Sequence, residues 1–139
     1  MRILVTGAYG QLGREIKELS SQFSSWEFVF TDIDRLDITD RDDVDTFIKE
    51  EMPEMVINCA AYTAVDKAET DHEAAYKLNV LAPGYLAYAS KQIGAGFIHI
   101  STDYVYNGKY YVPYKESDET SPVTVYGKTK LEGEKKCLS

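Results

Sequence analysis

Tyr126 and Lys130 stand four residues apart in "VYGKTKLEGE". On a helix that spacing places both side chains on one face. An ammonium beside a phenol favours the phenolate and draws the phenol pKa down from about 10 towards neutrality, which makes the tyrosine a usable proton donor near pH 7. A second constellation opens the chain. "TGAYGQLG" sets Gly7, Gly10 and Gly13 between an apolar run and a helical one. Gly7 suits a tight turn, Gly10 the close approach of a pyrophosphate, and Gly13 the packing of helix on strand. The free N–H groups at the helix start, beginning with Gln11 and Leu12, would hold the phosphates. Asp32 closes the next apolar run, where an acid accepts hydrogen bonds from a ribose 2′-hydroxyl. Together these residues predict a dinucleotide site. Asp32 would repel a 2′-phosphate, which favours NADH over NADPH, although Arg35 nearby keeps NADPH open. A third stretch, "STDYVYNG" from Ser101 to Gly108, crowds three kinds of hydrogen-bonding group and an Asn-Gly turn just past a strand.

These residues need elements to hold them. "RILVTG" reads as a first strand, and "QLGREIKELSSQF" as a helix with an apolar stripe of Leu12, Ile16, Leu19 and Phe23. "WEFVFTD" is a second strand and "LDI" a short third one. Either Thr39 or Asp40 caps the helix "RDDVDTFIKEEM", which Pro53 ends. "MVINCAAY" is a strongly apolar strand, and "EAAYKLNVLAPGYLAYASKQIG" a long helical region that Pro83 would kink. "GFIHIST" follows, then a long loop. Ser121 and Pro122 read as the cap and first position of the helix carrying Tyr126 and Lys130. Apolar strands without alternation, separated by helices, mean a parallel sheet covered on both faces. The expectation is an α/β Rossmann-type doubly wound sheet, a three-layer αβα domain over residues 1–139.

Composition excludes several classes. The net charge is −8, and the one basic cluster, "YGKTKLEGEKK", is interrupted by glutamates, so neither nucleic acid nor an anionic membrane surface is expected. "MRILVTGAYG" has no secretory pattern, and no run approaches the roughly eighteen apolar residues of a membrane span. Cys59 and Cys137 have no metal-like spacing and read as two reduced thiols of a cytoplasmic protein.

Taken together, "TGAYGQLG", "CAAYTAVDKAE", "STDYVYNG" and "SPVTVYGKTKLEGE" resemble the extended short-chain dehydrogenase/reductases, and within them the dTDP-4-dehydrorhamnose reductase family. The resemblance runs from residue 1 to 139. It implies reduction of a dTDP-linked 4-keto-6-deoxy sugar by NADH or NADPH. Thr102 would hydrogen-bond the C4 carbonyl oxygen and Tyr126 would protonate it. Lys130 would hold the nicotinamide ribose and lower the tyrosine pKa, and Asp103 would line the sugar site. Asp37 and Ile38 would flank the adenine, with Ala61, Tyr62 and Thr63 along the pyrophosphate and ribose. For the full-length family the resemblance also allows Mg2+ and a homodimer; no metal site is readable in these residues. The family's chains run well beyond this length, so the resemblance further implies a fragment. It would lack the carboxyl-terminal substrate region, leave one side of the sheet uncovered, bind cofactor weakly and turn over little by itself. Another nucleotide-sugar reductase or epimerase, or a non-catalytic regulatory subunit of the methionine adenosyltransferase type, carries similar motifs.

Other reactive residues read as structural. His99 alternates with Ile98 and Ile100 in a strand and is expected to pack. His72 sits among acids on a solvated helix face, and Lys67 with Glu69 forms a surface pair. Tyr110, Tyr111 and Tyr114 belong to the long loop. Ser101 is expected to serve strand-end hydrogen bonding, and Asn107-Gly108 a turn.

Overall fold

The computed structural model describes residues 1–109 and 111–139, so Tyr110 lies outside the described residues. Four parallel strands form one sheet: β1 (Arg2–Thr6), β2 (Glu27–Thr31), β3 (Met55–Asn58) and β4 (Gly96–His99), in the order β2-β1-β3-β4. The chain leaves β1 towards β2 and later returns to place β3 on the other side of β1. The order therefore reverses at β1, the position where doubly wound sheets open a crevice at their carboxyl ends.

Register decides which side chains share a face. Leu4 lies opposite Val29 and Val56, and Val56 opposite Phe97. Leu4, Val29 and Val56 join Val44 and Ile48 of α2 (Arg41–Glu51) with Ala82, Leu86 and Ala89 of α5 (Ala82–Ile93) in the main core. α6 (Val125–Cys137) packs beside α5 on that side. The next residue of each strand faces the other way. There Lys17 of α1 (Gln11–Ser20) holds its ammonium 5.9 Å from the ring centre of Phe30. Among the described residues, α1 is the helix that forms that third layer. Ile98 and Ile100, at the β4 edge, stay 45% and 39% exposed. The predicted αβα order holds, with one outer layer full and the other partial.

Four expectations require correction. The α1 stripe of Leu12, Leu19 and Phe23 is exposed, the helix stops at Ser20, and Gly13 is its one buried residue. The helix meets the sheet through its glycine side, while Phe23 stacks on Trp26 with ring centres 4.8 Å apart. "LDI" is not a strand. Arg35 N and Leu36 N both bond to Asp32 O, and Asp40 N to Asp37 O, so the segment is two successive turns. Leu36 and Ile38 alternate because they drop into the core beside α2. The long helical region divides into α3 (Val65–Ala68), α4 (His72–Tyr76), a π turn (Lys77–Leu81) and α5. Pro83 sits in the first turn of α5 and has no N–H for the Asn79 carbonyl; just before it, Ala82 N reaches back five residues to Lys77 O. The turn widens where Pro83 interrupts the regular hydrogen-bond ladder. Finally, α6 is capped by Thr124, whose hydroxyl accepts from Gly127 N at 3.0 Å, and not by Ser121. Ser121 N is committed to Val105 O.

Asp40, of the two cap candidates before α2, accepts from Asp42 N and Asp43 N. No helix among the described residues is long and apolar enough to cross a membrane.

Candidate active site

The carboxyl ends of β1, β2 and β3 open into a cleft of about 800 Å³. Its floor is the glycine loop. Gly7 has φ +67°, and a Cβ there would lie 2.6 Å from Ala60 N on the neighbouring strand's extension, so a side chain is doubly excluded. Gly10, the residue before α1, would present a Cβ only 3.2 Å from Gly7 O, and a Cβ on Gly13 would lie 2.7 Å from Ala8 Cα. Gly10 provides no side-chain cap to the helix behind it. The first-turn N–H groups of α1, beginning with Gln11 and Leu12, therefore face the cleft without intrahelical partners. That donor set fits a pyrophosphate.

Asp32 holds the loop in place. Its Oδ2 accepts from Tyr9 N at 2.8 Å and its Oδ1 from Ile33 N at 2.9 Å. A carboxylate has about four acceptor positions, so both oxygens keep capacity towards a ribose. Arg35 does not turn to the cleft: it pairs with Glu51 at 2.7 Å and lies over the Phe47 ring. Asp37 accepts from the backbone and hydroxyl of Thr39, which shapes the wall that Ile38 continues. Ala61, Tyr62 and Thr63 form the opposite wall. Every predicted cofactor residue of the first half of the chain except Gly13 lines this one cleft; Gly13 lies behind it as packing. Sequence reasoning missed Ile33, Leu36, Ala60, Cys59 and Leu78, which also line it. They are apolar or small and carry no chemical signal. Burial pushes the Cys59 thiol pKa up, which disfavours the thiolate.

The second constellation adjoins the cleft through Tyr62. The Tyr62 ring, a cleft wall, packs with Ala68, Ala75 and Tyr126 in a separate apolar cluster. Asn79, from the π turn, ties the two regions together. It accepts from Tyr62 N at 2.8 Å, donates to Tyr62 O, and donates to Thr129 Oγ1 at 3.1 Å. α6 thus presents Tyr126, Thr129 and Lys130 on one buried face, as the spacing of four predicts. Lys130 is 1% exposed. Its amine donates to Ile100 O at 2.6 Å and lies 3.3 Å from His99 Nε2. Burial first of all pulls its pKa down to about 8, against the opposing pull of Glu134.

The end of β4 reaches the same place. The Tyr104 ring meets the Tyr126 ring edge-on at 5.5 Å. Thr102 Oγ1 accepts from Tyr104 N at 3.2 Å, capping the 3₁₀ turn Asp103–Val105, and contacts Asp103 Oδ1 at 3.3 Å. Ser101 is more than a strand-end group, since its hydroxyl donates to Glu134 on α6. Asn107 closes its turn onto Lys109 N and receives the Tyr114 hydroxyl, with Gly108 at φ +68°. Tyr111 is fully exposed. His72 is exposed as expected. Lys67 and Glu69 do not pair with each other: Lys67 approaches Asp71 at 3.9 Å, while Glu69 accepts from Val125 N at the start of α6.

A family profile described as "RmlD substrate binding domain" matches residues 1–139. The chain belongs to the RmlD substrate binding domain family. A dTDP-4-dehydrorhamnose reductase of Aggregatibacter actinomycetemcomitans is 44% identical over 99% of this chain and 47% of its own. The crystal structure of a dTDP-4-dehydrorhamnose reductase from Clostridium acetobutylicum superposes with a TM-score of 0.95 at 50% identity, over 99% of this chain and 49% of that one. The Bacillus anthracis dTDP-4-dehydrorhamnose reductase, solved in complex with NADP, gives 0.94 at 36% identity, again over 99% and 49%. This member of the RmlD family therefore spans about half the length of the relatives it matches.

Proposed function

We propose that residues 1–139 form the NAD(P)-binding and proton-donating part of a reductase that converts dTDP-4-dehydro-L-rhamnose to dTDP-L-rhamnose. The observation that carries this reading is the junction of the glycine-loop cleft with a buried Tyr126/Lys130 face, through the packing of Tyr62 and the hydrogen bonds of Asn79. The nicotinamide, when bound, supplies hydride to the sugar C4. The chain's own residues do the rest. The first turn of α1 holds the pyrophosphate, and Asp32 the adenine ribose. Thr102 donates to the C4 oxygen as negative charge develops there, and Tyr126 protonates that oxygen. Lys130, with the N–H bonds not committed to Ile100 O, holds the nicotinamide ribose and supports the tyrosine, while Asp103 lines the sugar. Asp32 supports NADH; the NADP complex of the Bacillus anthracis relative supports NADPH. The cleft, bounded by Asp32 with Arg35 turned away, favours NADH for this chain. The sugar nucleotide needs further contacts from outside these residues, so turnover by them alone is low. The setting is cytoplasmic carbohydrate biosynthesis.

The test is calorimetric titration of the chain with NADH and NADPH. Saturable binding that Gly10→Asp abolishes supports the reading, because a carboxylate there would occupy and repel the phosphate cradle. No binding by a folded chain overturns it. In the catalytic arm, whatever turnover of dTDP-4-keto sugar is measured drops by about two orders of magnitude or more in Tyr126→Phe, with cofactor affinity unchanged. Equal turnover in that variant removes Tyr126 from the mechanism.

A further inference from the structure

A line of buried and half-buried polar groups crosses from β1 to α6 and ends on Lys130. Thr6 Oγ1 donates to Asn58 Oδ1 at 2.7 Å, and Ala60 N approaches the same atom at 3.1 Å. A backbone N–H can only donate, so that atom is the amide oxygen and the other terminus of Asn58 is the NH2 group. The NH2 faces His99 Nδ1 at 3.1 Å. Nδ1 must therefore accept, which places the proton of a neutral imidazole on Nε2. Nε2 in turn lies 3.3 Å from Lys130 Nζ. Against an ammonium, that arrangement sets donor against donor. Against a neutral amine, the nitrogen lone pair receives the Nε2 proton in a hydrogen bond, while an amine N–H still serves Ile100 O.

We infer that His99, oriented by Asn58, is a positioning residue that presents an N–H to Lys130 and so weakens the lysine's hold on its proton. The consequence for turnover rests on the reductase reading. After Tyr126 has given its proton to the sugar oxygen, Lys130 can release one towards the tyrosinate, the resulting amine accepts the His99 N–H, and a proton taken up from solvent restores the ammonium. One proton leaves Lys130 and one returns to it, so the step balances. The setting acts in the same direction. Burial, with the Lys130 charge as a lesser cause, pulls the His99 pKa down to about 4, which keeps the ring neutral. Burial likewise lowers that of Lys130 to about 8. Glu134 and Cys137, further along α6, oppose it, and Glu134 is partly occupied by Ser101. Tyr126 is one turn back on the same helix.

The experiment is nitrogen-15 and carbon-13 NMR of the labelled chain, without cofactor or substrate. The His99 ring nitrogens report the tautomer, and the Lys130 side-chain carbons report its titration. The expected result is an Nε2–H tautomer across the neutral range and a Lys130 midpoint near 8. His99→Gln can turn an amide oxygen to the ammonium and is expected to raise that midpoint by roughly one unit. Asn58→Asp gives Nδ1 an acceptor, moves the ring proton there, frees Nε2 and raises the midpoint as well; it serves if His99→Gln does not fold. An Nδ1–H tautomer in the unsubstituted chain overturns the inference. So does a Lys130 midpoint that neither variant moves. Because no turnover is read, failure of cofactor binding would sink the reductase reading and leave this result standing.

Discussion

At the scale of single residues, the strand-end cluster serves two masters. Under the proposed function Thr102 donates to a developing oxyanion, and in the structure it caps the 3₁₀ turn through Tyr104 N. The two roles separate by substitution. Thr102→Val removes both and is expected to lower turnover by about two orders of magnitude, the usual size of one lost oxyanion donor. Thr102→Ser keeps a hydroxyl and should recover most of the rate; equal loss in both would mean that the methyl group, and not the donor, matters. His99 makes a separate prediction at low pH. Its folded pKa of about 4 lies below the ordinary 6.5. Between those values the unfolded chain binds more protons, so this residue's contribution favours folding above 6.5 and is lost as pH falls towards 4. Urea midpoints measured through that window should fall more steeply for the unsubstituted chain than for His99→Gln. Parallel curves would mean that His99 titrates normally. The residues that sequence reasoning passed over here are Asn58 and Asn79. Each is an amide inside an apolar run, "MVINCA" and "KLNVLA". A buried amide demands partners, and that demand was the available signal.

At the scale of elements, helix starts are where local chemistry decides. Asp40 accepts from two backbone N–H groups at the head of α2, and Thr124 from one at the head of α6. Replacing either by alanine is expected to cost about 1 kcal/mol of unfolding free energy, read by urea denaturation. Thr124→Ala should additionally weaken cofactor binding, since α6 carries Tyr126 and Lys130; Asp40→Ala should not. A Thr124→Ala variant with unchanged stability would show that Glu69, which accepts from Val125 N, already suffices. The "LDI" segment shows the limit of pattern reading. Its alternation of apolar and polar residues fits a strand, yet local N–H groups donating to the Asp32 and Asp37 carbonyls commit it to turns. Alternation reports which residues are buried, and a turn can bury alternate residues as well as a strand can.

At the scale of the whole molecule, the asymmetry of the layers is the dominant property. The face shared by α2 and α5 is closed, whereas the face over β4 is open, with Ile98 and Ile100 exposed on it. β4 is also an end strand of the sheet, so unpaired backbone groups accompany the apolar patch. Such an edge is a site of association. The chain is expected to self-associate with rising concentration in sedimentation experiments, and Ile98→Lys to suppress this without loss of cofactor binding, because the cleft lies at β1, β2 and β3. A chain that stays monomeric at all concentrations would mean that the patch is too small to drive pairing.

The amino-acid sequence by itself determined the glycine loop, the acid after β2, the Tyr126/Lys130 face and the parallel sheet, because each depends on contacts between residues near in the chain or on a simple period. Glycine spacing dictates a turn, and a spacing of four dictates a helix face, whatever lies around them. Tertiary structure alone decided the rest. It placed Tyr62 between the cleft and Tyr126, aimed the Lys130 amine at Ile100 O, turned Arg35 to Glu51, and joined Thr6, Asn58, His99 and Lys130 from four different elements. Those partners are distant in the chain, and only the packing of separate elements brings them together.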